Sequence, residues 1–81
     1  MAHAHLHRID PNANMARFYR IDLAPTLFGE VAVLRQWGRI GTNGRTTIET
    51  WPSINEAQHS ADRTLRQKSR RGYNPVDAKH G

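Results

Sequence analysis

Glu30-Val31-Ala32-Val33-Leu34-Arg35-Gln36-Trp37-Gly38-Arg39-Ile40-Gly41-Thr42-Asn43-Gly44-Arg45 reads as a central strand that ends in a tight turn. Val31, Ala32, Val33 and Leu34 are apolar on both pleat parities, as in a strand covered on two faces. If the pleat continues, Val31, Val33, Arg35, Trp37 and Arg39 share one face, while Ala32, Leu34 and Ile40 share the other. The second face is assigned to a helix. That leaves the first to combine apolar support with Arg35, Trp37 and Arg39 near its outer end, unless a bulge at Gly38 breaks the phasing. Gly41-Thr42-Asn43-Gly44 is a hairpin turn, in which Asn-Gly supplies the positive φ angles of a primed turn. Residues 45–51 return as a Thr-rich strand, with Ile48 pointing inward.

Upstream, residues 17–23 alternate, with Tyr19, Ile21 and Leu23 on one side and Phe18, Arg20 and Asp22 on the other. Asp10-Pro11-Asn12-Ala13-Asn14 is a turn by composition, joining that strand to a short one near residues 6–9. Residues 24–29 form a loop whose Leu27 and Phe28 are expected to fold back as an apolar plug. Downstream, Ser53-Ile54-Asn55-Glu56 has the capping-box pattern and opens a helix. Ile54, Ala57, Ala61 and Leu65 make its narrow apolar face. Arg63, Arg66, Lys68, Arg70 and Arg71 crowd its C-terminal end, either as a solvated, dipole-favoured terminus or as a phosphate-tracking surface. Gly72 is the stop and Tyr73 packs after it.

At 81 residues the chain is one small domain. The absence of cysteine excludes a disulfide framework and a thiolate zinc site. No apolar stretch approaches the roughly 20 residues that span a bilayer, and no secretory signal opens the chain, so a cytoplasmic protein without a membrane partner is expected. The net charge of +5 points to an anionic partner, and ten of the twelve basic residues are Arg, whose planar fork matches phosphate or carboxylate oxygens. His3, His5 and His7 would share one face of a strand, and three imidazoles suit Zn²⁺, Ni²⁺ or Cu²⁺; Met1-Ala2-His3 also suits square-planar copper or nickel. The plainer reading is a tail, and no metal or other cofactor is expected. There is no cysteine nucleophile, no G-x-S-x-G elbow and no Walker loop, and His59 and Asp62 read as surface, so the chain is not read as an enzyme.

Trp37 and Arg39, separated only by Gly38, offer a π-face and a planar cation to a flat partner, and a nucleotide has features that match both. The same residues have a structural reading, with Trp37 capping the core, Gly38 relieving a strand end and Arg39 solvated. The run Trp37-Gly38-Arg39-Ile40-Gly41-Thr42, followed by Gly44-Arg45, resembles the signature of the WGR domain, the module beside the catalytic domain of DNA-dependent poly(ADP-ribose) polymerases. Asp10 and Asn14 ahead of residues 17–23 resemble the family's opening strands. Glu56-Ala57, Lys68 and Gly72-Tyr73 resemble its helix and closing turn.

This resemblance covers residues 6–73 and implies a stand-alone domain of the type found in bacteria, flanked by flexible segments at residues 1–5 and 74–81. It leaves no room for an attached polymerase domain. It implies binding of DNA ends or nicks without base-sequence specificity, in the context of DNA repair, with RNA as a second possible ligand. Trp37 would pack on a terminal nucleotide, Gly38 would allow the approach, and Arg39 would pair with phosphate. Arg17 stands where the family often has a DNA-contacting Lys. Parity and charge add Arg35 and Arg45. The alternative is a protein-interaction module docking on an acidic partner through the same Trp and Arg surface. A monomer is expected. The fold class is α+β, a twisted antiparallel sheet of about four strands with one C-terminal helix packed on one face.

Overall fold

The computed structural model describes residues 3–76. One antiparallel sheet contains β1 (His3–Asp10), β2 (Met15–Pro25), β3 (Val31–Arg39), β4 (Arg45–Trp51) and β5 (Asn74–Pro75), in the spatial order β4-β3-β2-β1-β5. A single helix, α1 (Ile54–Arg70), packs on one face. This is the α+β arrangement implied by the sequence, with a fifth, two-residue strand added. β1 begins at His3, inside the segment 1–5, and β5 lies inside 74–81, so the sheet extends past residues 6–73 at both ends. Residues 1–2 and 77–81, and the side chain of His3, lie outside the described residues, and with them the Met1-Ala2-His3 chelate.

The connections follow from local chemistry. Asp10 accepts hydrogen bonds from the amides of Asn12 and Ala13 at 3.1 and 3.4 Å, winding a 3-10 turn at Pro11–Ala13. Asn14 closes it at φ 51°, a left-handed angle that Asn tolerates better than most residues. Pairing of β2 with β3 runs unbroken from Pro25 opposite Val31 to Arg17 opposite Arg39, so the pleat passes through Gly38 without a bulge. At the helix start, Ser53 Oγ accepts from the Glu56 amide and donates to the Glu56 carboxylate, both at 3.3 Å. At the other end Gly72, at φ 95°, turns the chain so that Tyr73 is buried.

The core lies between sheet and helix. Leu6, Tyr19, Ile21, Leu23, Val31 and Val33 are covered by Ala57 and Ala61, whose small side chains let the helix sit close, and Tyr73 joins them. The alternation along β3 is as expected, but its facing is reversed. The helix covers the face of Val31, Val33 and Arg35, and Ala32 and Leu34 lie on the other side. The physical reason is polar: α1 carries Ser60 and Thr64, which accept from Arg35, so the face with the charge is also the face the helix satisfies.

Five further side chains depart from expectation. Ile48 has the parity of Leu34, its partner across β3 and β4, and is 65% exposed on the uncovered face. Leu27 and Phe28 form no plug; at 97% and 88% exposed they stand at the tip of the β2–β3 loop. Ile54 is exposed at the first turn of α1 rather than part of its packed stripe. Phe18, on the side opposite Tyr19, is nonetheless buried, because the loop at residues 40–44 folds over it. Gln36 Nε2 ties that loop down by donating to the Asn43 carbonyl at 2.6 Å.

The positive φ angles of this loop belong to Gly41 (96°) and Gly44 (66°), not to Asn43. Gly44 carries a second constraint, since a Cβ there would run into the Trp37 carbonyl, whereas one on Gly41 would meet nothing. No helix among the described residues is long and apolar enough to cross a membrane. Gly41→Ala is expected to cost about 1–2 kcal/mol from the left-handed angle alone. Gly44→Ala should cost clearly more, because the angle and the clash add, and urea denaturation of the two variants should rank them in that order.

Candidate nucleic-acid interface

At the end of the sheet where β2 begins and β3 ends, a concavity of about 410 Å³ opens between the signature and the 3-10 turn. Trp37, Gly38, Arg39, Arg17 and Arg45 line it, together with Thr42 and Asn14. Register explains the gathering: Arg17 stands opposite Arg39, and Trp37 stands between Tyr19 on one side and Arg45 on the other. Five of the six residues singled out from sequence therefore meet at one place.

Trp37 is half-buried and backed by an aromatic neighbour. Its ring stacks on Tyr19, with centroids 6.0 Å apart and planes at 18°. Tyr19 in turn carries the Lys68 ammonium over its ring at 4.6 Å, and the same ammonium lies 5.5 Å from the Tyr73 ring. Burial there, aided by the charge of Arg71, holds Lys68 below the ordinary lysine value. Lys68 is thus set apart from Arg63, Arg66, Arg70 and Arg71, which are exposed. Among the described residues the guanidiniums of Arg17, Arg39 and Arg45 take part in no ion pair.

Gly38 serves the fold first. A Cβ on it would lie 2.7 Å from Gly44 Cα and 3.5 Å from the Phe18 ring, so its missing side chain is what allows the loop to close over Phe18.

Arg35 is placed apart from the other five. Its side chain is 16% exposed under the helix, where it donates to Ser60 Oγ at 2.8 Å, to Thr64 Oγ1 at 3.3 Å and to Glu49 Oε1 at 3.3 Å. The same Glu49 oxygen accepts from the Trp51 indole at 2.7 Å and from Ser60 at 2.9 Å. The guanidinium is therefore engaged in joining β3, β4 and α1. Glu49, Ser60 and Thr64 were not picked out from the sequence. The available signal was parity, since Thr47 pairs with Arg35 and Glu49 lies two residues on, on the same face of the adjacent strand.

His5 and His7 share a face as alternation requires, with ring centroids 4.9 Å apart and edge to face. Burial, then the charges of His7 and Arg20, hold His5 below the ordinary histidine value. Among the described residues no group of three or more His, Asp or Glu side chains converges to hold a metal.

The fold and the site define a small basic binding module, a sheet with one helix and an aromatic-cationic concavity at one end. The chain belongs to the WGR domain family, which it matches over residues 2–80. WGR is a nucleic-acid-binding type of domain family. The chain is similar to the uncharacterized protein y4dW of Sinorhizobium fredii (strain NBRC 101917 / NGR234), 42% identical over 71 residues, which cover 88% of this chain and 35% of the relative. Its fold is similar to a crystal structure of a Bacteroides fragilis protein, at a TM-score of 0.79 and 22% identity, covering 96% of this chain and 20% of that one. The chain thus spans about a third of the curated relative and a fifth of the solved one.

Glu49 is expected to govern acid sensitivity. The Trp51 indole hydrogen bond most of all, with Ser60 and Arg35 adding to it against some burial, holds its carboxyl below the ordinary range. A depressed carboxyl contributes stability above its unfolded pKa, about 4.3, and loses it as pH falls through the folded value. Glu49→Gln should therefore be less stable at pH 7 by about 1 kcal/mol, screened by its half-exposed setting, and should lose less stability than wild type below about pH 4. Urea denaturation across pH 3 to 7 checks both.

Proposed function

We propose that the domain binds DNA ends or nicks, with Trp37 packing on the sugar or base of a terminal nucleotide and Arg17, Arg39 and Arg45 pairing with nearby phosphates. The observation that carries this reading is the convergence on a single concavity of one tryptophan backed by Tyr19 and three arginines that have no carboxylate partner among the described residues. At about 410 Å³ the concavity is large enough to take one nucleotide. Stacking and phosphate pairing are indifferent to base identity, so little sequence preference follows. Arg35, bound up under α1, supports the site by holding the fold. This reading needs no catalytic step, and DNA repair is the setting in which recognising such ends is useful.

The test is fluorescence anisotropy with a labelled nicked duplex bearing a 5′-phosphate, at several salt concentrations. Linear DNA, covalently closed circles and poly-glutamate serve as competitors. Log affinity should fall linearly with log salt, with a slope of about −3 for three phosphate contacts. Arg39→Ala should reduce that slope by about 1, and Trp37→Ala should lose roughly tenfold or more in affinity with little change in slope. Linear DNA should outcompete closed circles at equal mass. Equal competition by circles, or variants that bind like wild type, removes the end-binding assignment. Competition by poly-glutamate as strong as by DNA would transfer the surface to an acidic protein partner.

A further inference from the structure

The pairing register sets three arginines abreast. Arg8 on β1 stands opposite Arg17 on β2, and Arg17 stands opposite Arg39 on β3. All three share the parity of Leu6, Tyr19 and Trp37, so they lie on the helix-bearing face, one pleat beyond the Tyr19–Trp37 pair. Like charges directly opposite across strands are destabilising. Among the described residues none of the three guanidiniums takes part in an ion pair or hydrogen bond; the ion pairs found there are Arg20 with Asp22 and Arg35 with Glu49. A fold that places three unneutralised cations in one row carries a cost that a bound anion would remove.

Arg8 runs beside the end of α1, its Nε and Cδ at ordinary contact distance, 3.5 and 3.9 Å, from the position a Cβ would take on Gly72. The partial negative charge of the helix C-terminus offsets some of the repulsion at Arg8, and that effect fades within a turn. Arg17 and Arg39 line the concavity, and Arg8 does not.

We propose that the Arg8–Arg17–Arg39 row is a phosphodiester track leading out of the Trp37 concavity across the strands, with Arg8 a contact for the nucleic-acid strand beyond its terminal nucleotide. This rests on the nucleic-acid reading above and adds to it a direction and a length. Strands lie about 4.8 Å apart, so the row spans about 10 Å from β1 to β3. At about 3.4 Å of axial rise per nucleotide that is about three steps along one strand. A mononucleotide in the concavity reaches Trp37, Arg17 and Arg39 but not Arg8, which is met only by a longer strand.

The probes are 5′-phosphorylated oligodeoxythymidines of one to six nucleotides, titrated by tryptophan fluorescence at three salt concentrations into wild type, Arg8→Gln and Arg8→Lys. The nicked duplex is run alongside. Wild-type affinity should rise with length to three or four nucleotides and then level. Arg8→Gln should match wild type on the mononucleotide and lose about five- to tenfold on the tetramer. Its salt slope on the tetramer should be smaller by about 0.7, the single-strand increment for one phosphate contact, and Arg8→Lys should recover most of the loss. The melting temperature of Arg8→Gln should be no lower than that of wild type, because removing one member of the row relieves repulsion. Equal losses on monomer and tetramer, an unchanged salt slope, or a lowered melting temperature overturns the track and leaves the end-binding site standing. A wild type that binds neither the oligonucleotides nor the nicked duplex overturns the nucleic-acid reading and the track together.

Discussion

The setting of the helix on the sheet depends on the hydrogen-bonded group formed by Arg35, Glu49, Ser60 and Thr64. The apolar part of the interface is made by Ala57 and Ala61 over Ile21 and Val33, small surfaces that by themselves fix depth better than rotation or sliding. A part-buried guanidinium is different, because it is destabilising unless its donors meet acceptors at the right angles. Arg35 meets Ser60, Thr64 and Glu49 in one arrangement, so one face of α1 turns down and one register along β3 is selected. The ion pair with the half-exposed Glu49 adds little by itself. What matters is that the charge would be stranded in any other arrangement.

From that setting the basic end follows. With α1 fixed, Lys68 reaches Tyr19, Tyr19 backs Trp37, and Gly72 falls beside Arg8. On the opposite face, Gly38 and Gly44 let the loop at residues 40–44 close over Phe18. The signature glycines thus shape the end of β3 from below, while the aromatic column supports Trp37 from the side. The site is a by-product of two packing solutions that meet at one strand end.

Much of the fold was legible because its signals are local. The apolar run at Val31, the Asp10 turn, the Ser53 cap and the Gly72 stop each follow from chemistry within a few residues. The facing of β3 was not legible, because Val31 to Leu34 are apolar on both parities. The residue that breaks the tie is Arg35, whose acceptors lie 25 and 29 positions along the chain. Leu27 and Phe28 misled for a related reason, since hydropathy cannot say whether a loop tip has anything to fold against. β5 has no strand signature of its own, because two residues, one of them Pro75, pair with β1 only after the helix has carried the chain across the sheet. At the candidate site, Trp37, Arg39, Arg17 and Arg45 were readable from motif, family resemblance and charge. Arg8 became visible only when register set it beside Arg17.

The exposed Leu27–Phe28 tip lies at one end of β2 and the concavity at the other. Residues 18–25 of β2 separate them, roughly 26 Å of extended chain. The domain is therefore a strut with unlike ends, one oily and one cationic, held at a spacing set by the sheet. Whatever is attached at the loop end is carried at that fixed reach from whatever occupies the arginine end, and neither stands in the other's way.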